Sequence, residues 1–231
     1  MRRRFLIPQK FMSFVNNYKQ CNCPQKSKID DLGEHLGNCQ KTKQNSVQLR
    51  HKAITNVCGE AIKLSGGGQI FKEAPLDPID GINKVFRMDL TCVPNDGKVR
   101  HFDVTVGTIT AKSYMRKPNN SKGTSYTKNG LMKLKHKQKL RHYERLFGKS
   151  GKNLAGAIFM PLTMDSAGNF GQGFDYFFDF LDDLRENEGK PRSSRIRQYW
   201  RGRLSVAFHT AVAKGTRNRF EEFAKEKRIY G

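Results

Sequence analysis

Residues 86–106 read FRMDLTCVPNDGKVRHFDVTV, and this stretch decides the fold. Apolar and polar side chains alternate on both sides of the turn sequence PNDG, which is the pattern of two half-buried strands joined as a hairpin. If the loop has three residues and ends with Gly97 in the left-handed conformation, the register sets Asp89 opposite Asp103. The stretch therefore predicts a hairpin with two facing carboxylates, whose Cβ atoms are roughly 5 Å apart.

Facing carboxylates repel each other, so this hairpin needs positive charge nearby. A divalent cation such as Mg2+ could bridge Asp89 and Asp103, because hard cations prefer oxygen ligands. Alternatively, a lysine or an arginine could pair with the carboxylates for purely structural reasons. The hairpin alone leaves both interpretations open.

The pattern of residues 131–147 predicts a basic helix. This helix bears on the choice between a bound cation and a structural ion pair. On a helical wheel, Lys139 lies in the middle of the apolar face, near Met132 and Tyr143. An inward lysine needs a partner or a chemical role, and beside two carboxylates it could position an attacking water or stabilise phosphoryl charge. The alternatives are a lysine whose amine reaches solvent along the apolar surface, or a simple ion pair, and Lys135 is the rival candidate.

The remaining chain predicts an α/β protein. Hydrophobic periodicity and turn residues predict the following elements: a helix over 46–64, a strand over 69–73, a polar loop over 111–130, a buried strand over 155–162, a helix over 173–186, and a helical region over 194–228 in two pieces. We expect Pro161 to stop the buried strand, because proline cannot donate to a ladder.

Charge is the strongest compositional feature. The 43 lysines and arginines outnumber the 21 acids, which gives a formal net charge of +22 and predicts a polyanionic partner, DNA first and RNA second. No run of about 18 apolar residues is present, so we expect no membrane-spanning helix. An anionic membrane surface is the second class of polyanion that the charge would suit, and we expect nucleic acid rather than a membrane partner. Basic residues cluster in 111–150 and 190–219, and from these clusters we expect the following side chains at phosphates: Lys133, Lys137, Arg141, Arg197 and Arg201. Trp200 lies among them and could stack on bases, but we interpret it as a residue that packs the C-terminal helix against the core.

Three of the five cysteines crowd into residues 21–39. Cys21, Cys23, His35 and Cys39 offer four ligands, which is the number that a structural zinc site uses. The alternative is a group of unliganded buried thiols, and we expect Cys58 and Cys92 to be core residues of that kind. An odd number of cysteines in a chain of this length favours a reducing compartment, nuclear or otherwise intracellular. The basic start of the chain leaves mitochondrial targeting as the alternative.

The segment Arg87-Met88-Asp89, followed by Asp103, resembles the PD-(D/E)XK nuclease signature. More narrowly, an ordered set of motifs resembles the zinc knuckle and endonuclease region of site-specific, LINE-type (non-LTR) retrotransposon reverse transcriptases. The members of that set are the knuckle at 21–39, Arg50-His51, Glu73, Arg87-Met88-Asp89, Asp103 and Lys139 with Tyr143. The resemblance implies a restriction-endonuclease-like mixed central sheet flanked by helices. It divides the chain into a zinc knuckle (1–45), an endonuclease-like core (46–190) and a helical C-terminal extension (191–231).

The resemblance also implies an activity, the nicking of DNA by metal-dependent phosphodiester hydrolysis. Asp89 and Asp103 would hold Mg2+ or Mn2+, Glu73 would assist as an outer ligand, and Lys139 would orient the water. The resemblance adds further nucleic-acid contacts, which are Arg50, His51 and Arg87.

Two departures from the family pattern affect this implied activity. Met88 replaces the usual proline, and Thr105 stands where the family's strand lysine is expected, so the lysine would come from the basic helix. The alternatives are a catalytically degenerate domain that serves as a basic nucleic-acid-binding module, and a protein-interaction adaptor. The sequence leaves the oligomeric state open.

Overall fold

A computed structural model describes residues 20, 21, 23, 39, 46–76, 86–107, 128–147 and 156–229. The chain forms two compact units, residues 51–207 and a unit that combines 1–50 with 208–231. This division differs from the three consecutive segments that the resemblance implies. The elements of the described part are α1 (Ser46–Leu64), β1 (Gln69–Pro75), β2 (Arg87–Val93), β3 (Arg100–Gly107), α2 (Lys128–His142), α3 (Glu144–Phe147), β4 (Ile158–Asp165), α4 (Gln172–Asn187) and α5 (Ser194–Ile229).

The four strands form one mixed sheet in the order β1-β2-β3-β4. The first three strands are antiparallel neighbours, whereas β4 pairs with β3 in parallel. A parallel pair needs a crossover connection, and the segment between β3 and β4 contains α2 and α3. Helices α2 and α4 both contact β4, so the sheet is flanked by helices and the α/β prediction is confirmed.

The hairpin has the register that the sequence predicts. Leu90 pairs with Phe102, and the neighbouring pairs follow the same antiparallel ladder. Gly97 has φ 72° and its N–H donates to the Pro94 carbonyl over 3.0 Å, which closes the three-residue loop. If this register continues by one residue, Asp89 lies directly opposite Asp103.

The apolar side chains at the junction of α2 and α3 pack as the helical wheel predicts. Tyr143 at the junction and Phe147 of α3 are buried in one cluster with Met88 from β2 and Phe159 from β4, and Leu140 of α2 packs against it. The rings of Tyr143 and Phe159 have centroids 4.6 Å apart. This packing fixes the rotation of α2 and turns its inner face, including Lys139, toward the hairpin.

Three details correct the sequence-based elements. Strand β4 continues through Pro161 to Asp165, because β4 ends the sheet order and its outer edge needs no proline N–H. The basic helix is divided at Tyr143 into α2 and α3. The last helix is one element rather than two, since no proline interrupts 194–229 and Gly202 is tolerated in its interior.

The loop predicted over 111–130 lies outside the described residues, except for its last three positions, which belong to α2. Among the helices that the structure describes, none combines the length and the apolar character that crossing a membrane requires.

Candidate active site and metal centre

The structure brings Lys139 to the hairpin carboxylates. Its Nζ lies 2.6 Å from Oδ2 of Asp103, a side chain that is only 7% exposed. Within the described residues, no donor meets this oxygen with good hydrogen-bond geometry, so the contact is a close charge pair. The prediction that Lys139 points inward is confirmed.

The second carboxylate is held by two donors. Oδ2 of Asp89 accepts a hydrogen bond of 2.6 Å from the Val104 backbone N–H and lies 2.8 Å from Nε2 of His51. His51 comes from α1, and its side chain is 35% exposed. His51, Asp89, Asp103 and Lys139 therefore form one row of groups, which we call the four-residue site. The sequence placed His51 among nucleic-acid contacts and gave no signal for its contact with Asp89, 38 residues away.

The two carboxyl groups have pKa values shifted in opposite directions. Burial raises the pKa of Asp103 to about 6, and the charge of Asp89 adds to this effect although Lys139 opposes it. Burial also pushes the pKa of Asp89 upward, but the hydrogen bond and charge of His51, with further hydrogen bonds, bring it below its usual value. The pKa of His51 is raised by its hydrogen bond to Asp89, against the effect of burial. A carboxyl pair split in this way is typical of functional sites.

The carboxylate pair has the chemistry to hold a hard divalent cation. Asp103 offers a buried oxygen that lacks an aligned donor among the described residues, and Asp89 lies beside it. Two protein ligands suit Mg2+, which keeps several waters and binds substrate phosphate. Groups of three close ligand-type side chains are found, in the described part, only among the cysteines, so water or phosphate would have to complete this site.

Glu73 lies at the level of Asp89 but is placed differently from the other acids. The β1–β2 ladder pairs Lys72 with Leu90 and Ala74 with Met88, but it contains no pair for Glu73. Glu73 has φ 51°, a left-handed conformation that is uncommon for a residue with a side chain. Its side chain is exposed, and its role as an outer metal ligand stays a prediction.

The cysteine group can hold a metal such as zinc. Cys21, Cys23 and Cys39 are buried, and their sulfurs lie within 4.8 Å of one another. The 3.8 Å between Sγ of Cys21 and Sγ of Cys39 equals the separation of about 3.8 Å expected for two thiolates on a tetrahedral zinc, at Zn–S distances of about 2.3 Å. It is far longer than a disulfide bond of about 2.05 Å. His35, the fourth ligand expected from the sequence, lies outside the described residues.

A residue of α5 contacts this group. Nη2 of Arg219 lies 3.2 Å from Sγ of Cys21, and Arg219 is 1% exposed. The sequence did not indicate this contact, which joins residues 198 positions apart. The other two cysteines, Cys58 and Cys92, are buried as expected, and Cys92 donates to the Gly67 carbonyl over 2.9 Å.

The basic residues of α2 are available to a nucleic acid. Lys133, Lys137 and Arg141 are exposed and follow one another at intervals of four residues, so they line one side of the helix that carries Lys139. Arg87 is exposed at the start of β2. Their roles at phosphates remain predictions.

Other arginines expected at phosphates have partners inside the protein. Arg197 pairs with Asp179 at 2.7 Å and with Asp182 at 2.6 Å, and Arg201 pairs with Asp175 at 2.6 Å. Arg50 is 2% exposed, and burial lowers its pKa to about 10. Its burial argues against the phosphate contact that the resemblance implies. Trp200 is 3% exposed, which confirms its interpretation as a packing residue.

Comparison with known proteins adds no family to this geometry. No protein-family model matches the chain, and no curated protein is significantly similar to it.

Proposed function

We propose that this protein is a metal-dependent DNA endonuclease of the restriction-endonuclease-like class, which nicks DNA by hydrolysing a phosphodiester bond. One observation carries the proposal. The hairpin register and the rotation of α2 bring Asp89, Asp103 and Lys139 together from three elements, with Nζ of Lys139 2.6 Å from Asp103. Two acids and a lysine at one point form the group of residues that the PD-(D/E)XK resemblance implies.

The architecture supports the proposal. The order α1-β1-β2-β3-α2-α3-β4 produces a mixed sheet flanked by helices, as the resemblance implies. The lysine expected on the strand at Thr105 is absent, but Lys139 reaches the same acid from the adjacent helix. A buried cysteine group near the N-terminal end fits the expected zinc knuckle.

Each residue of the four-residue site has a distinct task in this proposal. Asp89 and Asp103 would hold the cation, which when bound supplies a Lewis acid and lowers the pKa of a bound water. His51 and the Val104 N–H fix the orientation of the Asp89 carboxylate. Lys139 contributes positive charge where the phosphoryl oxygens become more negative, and its contact with Asp103 keeps that charge in place.

The proposed substrate follows from charge. The net charge of +22 favours a phosphate backbone, and Lys133, Lys137 and Arg141 form an exposed basic row along α2, on the side away from the face that carries Lys139. One residue every four along the helix corresponds to a rise of about 6 Å, so successive charges can reach successive phosphates. Duplex DNA is the proposed form, and cleavage of RNA is an outcome that the same assay can reveal.

The proposal is tested by nicking of supercoiled plasmid in the presence of Mg2+. Asp103→Ala removes a proposed ligand, and Asp96→Ala removes an exposed acid from the turn of the same hairpin as a matched control. We expect wild type and Asp96→Ala to nick only with Mg2+ or Mn2+, and Asp103→Ala to be inactive. Nicking that persists in Asp103→Ala would contradict the proposal.

A second candidate function is nucleic-acid binding without catalysis. The observation that favours it is the ion pair itself, because Lys139 already neutralises Asp103 without a cation. In that case neither wild type nor Asp103→Ala nicks, and both bind DNA with a steep salt dependence.

A further inference from the structure

The cysteine group has a charged neighbour on the C-terminal half of α5. Arg219 donates from Nη2 to Sγ of Cys21 over 3.2 Å. Its Nη1 lies 3.5 Å from an oxygen of Glu222, and its guanidinium carbon lies 5.8 Å from the centre of the Phe223 ring. Phe223 is fully buried, so the guanidinium is held from several sides.

The burial of both side chains makes the contact between Arg219 and Cys21 energetically important. Cys21 and Arg219 are 2% and 1% exposed, so both groups lie away from solvent. Zinc bound by three thiolates and one neutral ligand carries a single net negative charge, which is unfavourable in a buried site unless a counter-charge is near. A buried guanidinium is costly for the same reason, and its Glu222 partner is a half-exposed carboxylate at 3.5 Å. A negative metal centre beside the guanidinium would therefore stabilise both charges.

We propose that Arg219 is a positioning residue of the metal centre formed by Cys21, Cys23 and Cys39. Its N–H group hydrogen-bonds the Cys21 thiolate when the metal is bound, offsets the charge of the centre and links the C-terminal part of α5 to metal loading. Partners of this outer kind orient the ligands of metal sites and tune their affinity. The knuckle is then not an independent N-terminal module, in agreement with the compact unit that combines residues 1–50 with 208–231.

The first test measures zinc affinity of the full-length chain by competition with a chromophoric chelator at about pH 7.5, where thiolate ligands compete well with protons. Arg219→Met is compared with Arg217→Met, a matched control on the same helix, because Arg217 is 79% exposed and pairs only with Glu221 among the contacts that the structure describes. We expect Arg219→Met to bind zinc on the order of 10- to 100-fold more weakly than wild type, and Arg217→Met to match wild type. Wild-type affinity in Arg219→Met would overturn the proposal.

A spectroscopic readout separates this role from a general loss of stability. With Co2+ in place of zinc, the thiolate-to-metal charge-transfer band reports the electron donation of the sulfurs. Loss of the N–H···S hydrogen bond should move this band in Arg219→Met and leave it unchanged in Arg217→Met. An unmoved band in Arg219→Met would contradict the contact.

A measurement on the wild type keeps the proposal testable if Arg219→Met fails to fold. Amide hydrogen exchange is compared with and without zinc, over residues 215–229 of α5 and over α4 as the internal control. We expect zinc to slow exchange in 215–229 and to leave α4 unaffected. Equal exchange of 215–229 in both states would refute the link between metal loading and the helix.

Discussion

The replacement of Asp103 by asparagine should stabilise the protein while abolishing nicking. In the fold, burial and the charge of Asp89 raise the pKa of Asp103 from 3.8 to about 6. A raised pKa means that the neutral form is favoured by folding, so this stabilisation is complete below pH 3.8 and is lost as the pH rises through about 6. At about pH 7.5 the ionised carboxylate therefore destabilises the fold, and the neutral amide introduced by Asp103→Asn would remove that effect.

The magnitude follows from the same pKa change. At about 1.4 kcal/mol for each tenfold change in the acid constant, the ionised Asp103 costs about 3 kcal/mol at about pH 7.5. We expect Asp103→Asn to be more stable than wild type by about 2–3 kcal/mol in magnesium-free buffer that retains zinc, measured by urea denaturation. The difference should disappear at about pH 4, where wild-type Asp103 is largely protonated.

The neighbouring acid provides the control, with the opposite sign. The pKa of Asp89 lies below its usual value because the hydrogen bond and charge of His51, with the N–H of Val104, outweigh burial. A depressed pKa gives stability that is present at neutral pH and is lost as the pH falls, so Asp89→Asn should destabilise the fold at about pH 7.5. Both variants should fail to nick plasmid. If Asp103→Asn is instead destabilised, Asp103 is a structural partner of Lys139 and the reasoning is refuted.

Three further predictions concern the lysine, a buried histidine and a glycine. Lys139→Met should reduce nicking by about 100-fold or more and lower stability at about pH 7.5, because the charge beside buried Asp103 is lost. Lys63→Met, at an exposed lysine near the end of α1, should do neither. His101 is 8% exposed and burial lowers its pKa to about 4, so its neutral form stabilises the fold above pH 6.5 and this stability is lost as the pH falls toward 4. Because Asp103 titrates in the same range, His101 is judged by a difference: in urea titrations wild type should lose about 2 kcal/mol relative to His101→Gln between about pH 7.5 and about pH 5. A similar loss in both proteins would argue against His101 as the source. Gly173→Ala should lower stability by about 1–3 kcal/mol in thermal or urea unfolding, because the added Cβ would overlap the Pro161 carbonyl. Gly202→Ala should be neutral or stabilising, because a Cβ added at Gly202 has no atom within contact distance.

Local patterns predicted the hairpin because two independent constraints agree on its register. The alternation of side chains fixes which face of each strand is buried, and the left-handed Gly97 fixes the loop length. A slip by one residue would break both constraints at once. The inward direction of Lys139 was predictable for a related reason, since the helical period alone places it on the apolar face.

Contacts between distant elements could not be predicted in this way. Periodicity indicates which side of an element faces inward but not which element lies opposite. His51 and Asp89 are 38 residues apart, and Arg219 and Cys21 are 198 apart, so no local pattern links the members of either pair. The same limit explains why the continuation of β4 through Pro161 was not predicted. A proline is tolerated there because β4 lies at the end of the sheet order, which is a property of the topology. The burial of Arg50 was equally unpredictable, because an arginine in a helix is usually exposed.

Asp103 is easier to explain by function than by stability. Asp89 stabilises the fold through His51 and the Val104 N–H, whereas the pKa of Asp103 stays raised even with Lys139 beside it. A neutral residue at position 103 would remove this destabilising charge. A fold selected for stability alone would therefore be expected to have a neutral residue there. Thr105, two residues farther along β3, carries a buried hydroxyl oxygen that has no hydrogen-bond partner among the described residues. Such features are typical of a site where charge is kept for chemistry at the expense of stability, and a cation bound to both acids would relieve the repulsion between them.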